Sequence, residues 1–137
     1  MGLKEIVDKY GSTEQGESAK IFLANSYYNT GKIDQALDVY NDYGGSNPVF
    51  QATALAGEAA CYADKQEYGQ AAELYKKAAK ISQSDPSNAD YLLLAGINLM
   101  KIDKNEDAKV LFETIKKDYK LTTAAQQVEK YLVQLQS

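Results

Sequence analysis

The stretch that decides the fold is residues 54–86, ALAGEAACYADKQEYGQAAELYKKAAKISQSDP. In it a small residue, Ala59, is followed three positions later by Tyr62. A second small residue, Ala71, follows twelve positions after Ala59, and Tyr75 comes four positions after that. Residues three or four apart lie on one face of an α-helix. The stretch therefore predicts two helices that approach closely at their small residues, with aromatic rings filling the space beside them.

The same pattern occurs on both sides of this stretch. The second small residue of the pattern recurs after 35 and then 37 residues, close to the period of about 34 that is typical of one class of repeated helical hairpin. The first copy is Ala24, Tyr27, Ala36 and Tyr40, and the third is Gly96, Leu99, Ala108 and Phe112. We therefore expect three stacked hairpins whose helices are wedged together at Ala24/Ala36, Ala59/Ala71 and Gly96/Ala108.

Capping signals indicate where the helices begin. Asn47-Pro48 and Asp85-Pro86 each pair a good N-cap residue with proline at the first helical position. Ser12 to Gln15 has the spacing of a capping box. No stretch alternates with period two, so no strand is predicted. The predicted helices span residues 3–10, 14–30, 33–43, 48–64, 67–82, 86–101, 105–119 and 122–135.

These copies resemble tetratricopeptide repeats. The resemblance is carried by residues 54–86 and by AKIFLANSYYNTGKIDQALDVYNDYGGSNP (residues 19–48), and it covers about residues 16–120. It implies an all-α fold in which antiparallel hairpins stack into a right-handed superhelix, because one hairpin cannot bury its own apolar face. The implied single domain, 1–137, comprises a partial repeat helix (1–12), three repeats (14–48, 49–85 and 86–120) and a C-terminal capping helix (121–137).

The turn sequences and the flanks refine this resemblance. The usual Gly-Asp turn is kept only as Gly31-Lys32 and is replaced by Gln66-Glu67 and Asp103-Lys104 in the later copies. LKEIVDKYGSTEQGESA (3–19) resembles the end of a preceding repeat, and LFETIKKDYKLTTAAQQVEKYL (111–132) resembles a variant in bacterial envelope proteins. The resemblance implies the soluble part of a larger envelope protein, on the periplasmic side of a bacterial membrane and held by an N-terminal anchor that precedes these residues. The alternative location is the cytoplasm.

Composition argues against several classes of function. The chain has no histidine, no arginine and a single cysteine, Cys61, so histidine-based catalysis and a zinc site are excluded. Its net charge of −4 and its all-lysine cations differ from the basic, arginine-bearing faces of nucleic-acid binders. No apolar run approaches the roughly 18 residues of a membrane span. We therefore expect no catalytic, cofactor-binding or metal-binding residue, no nucleic-acid partner and no membrane insertion by these residues.

In a superhelix of the implied kind, the first helix of each hairpin lines the concave surface. The groove would be shallow and apolar with one polar end, which suits an amphipathic helix or an extended apolar segment. Alternatively, some of its residues are covered within the domain. The expected groove residues are Ile21, Asn25, Tyr28, Asn29, Ala56, Ala60, Leu93 and Ile97.

These features favour a non-catalytic protein–protein interaction scaffold that binds a peptide or a partner helix in the groove. One alternative is a self-associating module that forms a homodimer through the apolar stripe Leu3, Ile6, Val7 and Tyr10 at its N-terminal end. That stripe could instead pack on the first full repeat. A second alternative is a chaperone-like holdase that uses the apolar groove on unfolded chains.

Overall fold

Eight α-helices account for the fold. The computed structural model describes residues 2–81 and 83–136, and within them there are eight helices and no strand. The prediction of an all-α chain is confirmed, and no helix end differs from its predicted position by more than two residues. Met1, Ser82 and Ser137, which the predicted boundaries include, lie outside the described residues. The helices are α1 (Leu3–Tyr10), α2 (Glu14–Asn29), α3 (Ile33–Asn41), α4 (Pro48–Asp64), α5 (Tyr68–Ile81), α6 (Ser87–Lys101), α7 (Asn105–Asp118) and α8 (Thr123–Gln136).

Side-chain caps explain why several helices begin where they do. The side-chain oxygen of Asn47 accepts hydrogen bonds from the backbone N–H groups of residues 49 and 50, at 2.9 and 3.3 Å. These are two of the donors that the first turn of a helix leaves without an intrahelical partner. At the start of α2 the cap is Thr13, which accepts from the N–H of Gly16 at 3.1 Å. The cap is therefore one residue later than the Ser12 of the predicted capping box.

The three hairpin turns share one backbone geometry although their sequences differ. The residue in the left-handed region is Gly31 (φ 79°) in the first turn, Gln66 (φ 64°) in the second and Asp103 (φ 60°) in the third. In each turn the next residue donates its backbone N–H to the carbonyl five residues earlier, at 2.8, 2.8 and 3.0 Å in chain order. The hairpins α2–α3, α4–α5 and α6–α7 are therefore closed in the same way.

The small residues of the repeat pattern lie where the two helices of a hairpin touch. A methyl group added to Gly96 would collide with the ring of Phe112, so only glycine leaves room for that ring. The pairs Ala24/Ala36, Ala59/Ala71 and Gly96/Ala108 are all buried. Ala24 and Ala36 belong to one core cluster, and Ala59 and Ala71 belong to another. The small residues of the first two hairpins therefore pack together, as Gly96 and Phe112 do in the third.

Neighbouring helices run antiparallel. Lys20, near the start of α2, forms a salt bridge with Asp42 just after α3, with 3.0 Å between Nζ and Oδ2. Lys101, at the end of α6, lies over the ring of Tyr68 at the start of α5, 4.8 Å from the ring centroid. In both pairs the start of one helix meets the end of its neighbour, as antiparallel packing requires.

Contacts beyond the nearest neighbour arrange the helices in two rows. α2 packs on α4, and α6 packs on α8. The Tyr91 hydroxyl on α6 interacts with Thr53 on α4. On the other side, the hydroxyl of Tyr119 after α7 donates to the carbonyl of Gln83 after α5 at 2.5 Å. These contacts join α2, α4, α6 and α8 in a first row. We call the helices that alternate with them along the chain, α3, α5 and α7, the second row.

The two ends of the stack are covered to different extents. α8 buries Val128 and Leu132 in the same core cluster as the third hairpin. α1 buries none of its residues: Ile6 is half-buried, while Leu3 is 36% and Tyr10 38% exposed. The apolar stripe of α1 therefore packs on α2 only in part.

Candidate partner-binding surface

The first row of helices carries all the residues expected to line a groove. Positions 21, 25, 28 and 29 are on α2, positions 56 and 60 on α4, and positions 93 and 97 on α6. On each helix successive positions are three or four residues apart, apart from position 29 next to 28, so they fall on one side of the helix with position 29 at its border. We call this side of α2, α4 and α6 the first-row face.

Two of the expected groove residues are not accessible. Ile21 is 2% exposed and Leu93 is 6% exposed. Leu93 belongs to the core cluster that contains Phe112 and Ile115, and Ile21 lies on α2, on which α4 packs. For these two side chains the structure therefore agrees with the alternative stated above, in which some of the expected groove residues are covered. They are covered within the domain because the inward side of a first helix also supplies the contact to neighbouring helices.

The polar end of the face is partly used for internal contacts. Asn25 is half-buried, and its side-chain oxygen accepts a hydrogen bond from the hydroxyl of Tyr40. This contact holds the ring of Tyr40 in the core of the first hairpin. Asn29, at the end of α2, is exposed, so its amide is directly available to a partner.

Tyr28 links α2 to α4 at the middle of this face. Its ring is half-buried against the core cluster of the first hairpin, and its hydroxyl interacts with the carboxylate of Asp64 at the end of α4. Burial, together with this carboxylate, raises the pKa of Tyr28 to about 12. The phenol therefore stays protonated at neutral pH and acts as a hydrogen-bond donor.

The centre of the face is shallow and apolar. Ala56 and Ala60 are half-buried on α4, and Ile97 is half-buried on α6. Tyr91 packs against the same core cluster as Ala56, and burial raises the pKa of its hydroxyl, which interacts with Thr53. The small side chains of α4 thus leave room for an aromatic ring from α6. Tyr91 is not one of the repeat-pattern residues, and nothing in the sequence indicated this contact.

A second accessible apolar surface lies at the N-terminal end. Leu3, Ile6 and Tyr10 of α1, together with Phe22 of α2, line an open groove of about 650 Å³. Phe22 is 52% exposed, although one edge of its ring packs on Phe50 at a centroid distance of 6.1 Å. We call this surface the N-terminal face.

The described residues offer few side chains that could act as nucleophiles or metal ligands. Cys61 is fully buried, and burial raises its pKa to about 11, so it is held as the thiol. Within residues 2–81 and 83–136 no three His, Cys, Asp or Glu side chains come together as a metal site would require. In the same part of the chain no helix has the length and apolarity of a membrane span.

Comparison with known proteins does not assign the chain to a family. The chain matches no protein-family model, and no curated protein is significantly similar to it. Its function is therefore inferred from its own residues and their geometry.

Proposed function

We propose that the chain is a non-catalytic tetratricopeptide-repeat scaffold that binds a peptide segment or a partner helix on the first-row face. In this proposal the stacked hairpins curl into a right-handed superhelix, and the first-row face is its concave side. The proposal rests on one observation: half-buried side chains follow one another on α2, α4 and α6, the first helices of the three hairpins. They are Tyr28, Ala56, Ala60 and Ile97.

The chemistry of these side chains suits an apolar partner. Each of the four has apolar surface that a partner can cover, and burial of such surface is the main favourable term in association. Tyr28 adds a rigid ring that presents a large contact area at low entropic cost. Asn29 adds an exposed amide at one end of the face, which can bind the backbone of an extended segment or the end of a helix.

The test uses peptides selected from a random displayed library against the folded chain. Their affinity is then measured for the wild type and for Ala60→Glu, which places a carboxylate in the apolar centre of the face. We expect at least tenfold weaker binding, since the carboxylate must lose water when the peptide covers it. Gln35→Glu is the matched control, because it adds the same charge at an exposed position on α3 in the second row.

The control should bind like the wild type, and thermal melts should show both variants folded. If the selected peptides bind Ala60→Glu as tightly as the wild type, the first-row face is not the binding site.

Self-association is a second candidate function, favoured by the N-terminal face. Its apolar groove, with Phe22 52% exposed and Leu3 and Tyr10 more than a third exposed, is the kind of surface that a second copy can cover. Sedimentation across a dilution series would then show a dimer that Phe22→Ser converts to a monomer. Val110→Ser, at a position 64% exposed on α7, is the control. A wild type that stays monomeric at high concentration rules this candidate out.

A further inference from the structure

A cleft between the two rows contains a buried carboxylate that the proposed function does not use. The cleft has a volume of about 580 Å³ and is lined by residues of α3, α4 and α5. Its α4 residues include positions 55, 58 and 62, which share one helical face. Positions 56 and 60 of the first-row face lie on nearly the opposite side of α4, because each residue turns the helix by about 100°.

Glu58 is the carboxylate at the base of this cleft. It is 9% exposed, and in the described part of the chain it takes part in none of the salt bridges or side-chain hydrogen bonds. The facing cation is Lys77 on α5, whose charge acts on Glu58 without coming close enough to form a salt bridge. A buried carboxylate without a paired cation is costly. In agreement, burial raises the pKa of Glu58, and Lys77 offsets this only in part.

The walls of the cleft are mixed, since the polar side chains of Asn41, Gln51 and Gln70 line it beside apolar and aromatic ones. Tyr40 of α3, Leu55 and Tyr62 of α4, and Leu74 of α5 line it. Aromatic faces attract cations, and aliphatic side chains accommodate an alkyl chain. The volume lies in the range of small-ligand sites, roughly 300–1,000 Å³. The cleft therefore combines space, a partly apolar wall and one unpaired negative charge.

We propose that the cleft between α3, α4 and α5 binds an alkyl guanidinium or alkyl ammonium group, with Glu58 as its ionic partner. The group is either a free small molecule or a basic side chain of a protein partner. In both cases the cation occupies the base of the cleft, and its alkyl chain runs along Leu55 and Leu74. This site is separate from the first-row face, so it does not depend on the proposed scaffold function.

The experiment measures binding of n-butylguanidinium by amide chemical shifts, titrated to about 50 mM. n-Butylurea is the neutral control, because it has nearly the same shape without the charge. We expect n-butylguanidinium to shift amides near residues 55–58 and 74–77, and n-butylurea to shift none of them. Glu58→Gln, which keeps the shape of the side chain, should weaken binding at least tenfold. Glu113→Gln on the exposed side of α7 is its matched control.

Two further arms identify the source of the ligand and the role of Lys77. If a capped Ala-Arg-Ala peptide binds more tightly than n-butylguanidinium, the natural ligand is a side chain of a partner, whereas the reverse order indicates a free small molecule. Lys77→Met should tighten binding, since it removes a competing positive charge. The proposal is overturned if n-butylguanidinium does not bind, if n-butylurea binds equally well, if Glu58→Gln binds like the wild type, or if Lys77→Met weakens binding.

Discussion

At the scale of single residues, Gln66 occupies a position that suits glycine. Its φ of 64° lies in the left-handed region, which costs a residue with a side chain roughly 1–2 kcal/mol. Gln66→Gly should therefore raise the free energy of unfolding by about 0.5–1 kcal/mol, because the greater freedom of glycine in the unfolded chain offsets part of the gain. Urea denaturation measures this change. Gly31→Ala, in the equivalent turn at φ 79°, should have the opposite effect, and a destabilised Gln66→Gly would show that the turn geometry is different.

Gly96 is required by the ring of Phe112. A Cβ at position 96 would overlap that ring, whereas a Cβ at Gly69 on α5 would lie 3.5 Å from Ile102, an ordinary contact. Gly96→Ala should lower the free energy of unfolding by about 1–3 kcal/mol through overpacking. Gly69→Ala should instead raise it by up to about 1 kcal/mol, because alanine favours the helix. Thermal or urea unfolding compares the two, and equal effects would contradict the close contact in the third hairpin.

Glu58 should make stability depend on pH. Its pKa is raised in the folded state by burial, with Lys77 acting against this shift. In the unfolded chain this carboxyl group has its ordinary pKa of 4.5, so the unfolded chain loses the proton at a lower pH than the folded protein does. The contribution of Glu58 to the free energy of unfolding therefore falls as the pH rises from 4.5 through the folded-state pKa. The other titratable groups that line the cleft are Lys77 and the tyrosines Tyr40, Tyr43 and Tyr62.

Replacement of Glu58 by glutamine removes the pH dependence of stability that arises from this carboxyl group. Glu58→Gln should be more stable than the wild type by on the order of 1 kcal/mol at neutral pH, and the difference should vanish below pH 4.5. Denaturant unfolding at several pH values measures it. A variant that is equally destabilised at every pH would mean that the carboxylate has a partner in solution.

At the scale of elements, the buried cation of Lys20 ties α2 to the loop after α3. Lys20 is 7% exposed and contacts Glu17 at 2.9 Å and Asp42 at 3.0 Å. Burial acts to lower the pKa of Lys20, but the hydrogen bonds with Glu17 and Asp42 outweigh it and raise the pKa. Glu17 in turn accepts the N–H of Gly44 at 2.5 Å. The network thus fixes the loop that leads into α4.

Removal of this cation should destabilise the protein strongly. Lys20→Met leaves the Glu17 carboxylate buried without its cation, and the expected loss is about 2–4 kcal/mol of unfolding free energy. Lys65→Met is the comparison, because it removes a salt bridge to Asp34 that is exposed on both sides and should change stability little. Guanidinium denaturation of both variants measures the contrast, and similar effects would show that the Lys20 network is not formed.

The helices themselves were predictable from sequence because their signals are local. Asn47-Pro48 is a cap that needs no information about the rest of the chain, and its hydrogen bonds are present. The spacing of small and aromatic residues likewise predicted the contacts within each hairpin. The shared geometry of the three turns was not predictable at Gln66, since a residue of this type seldom occupies the left-handed region. Asp103 is of a type that is enriched there, but its residue type alone does not decide the backbone conformation.

At the scale of the whole molecule, sequence periodicity defines a face of a helix but not what covers it. Ile21 and Leu93 fall on the same faces as Tyr28 and Ile97, yet they are buried by neighbouring helices. Which residues remain accessible depends on how the rows pack against each other. Glu58 could not be recognised for the same reason, because its burial arises from α3, α4 and α5 together.

The most direct measurement of the central claim is amide chemical-shift mapping of the chain with a peptide selected for binding. We expect the shifted amides to cluster on α2, α4 and α6, around Tyr28, Ala56, Ala60 and Ile97, while amides of α3 and α7 stay unchanged. Shifts centred on α1, or on the outer side of α7, would contradict the claim that the first-row face binds the partner.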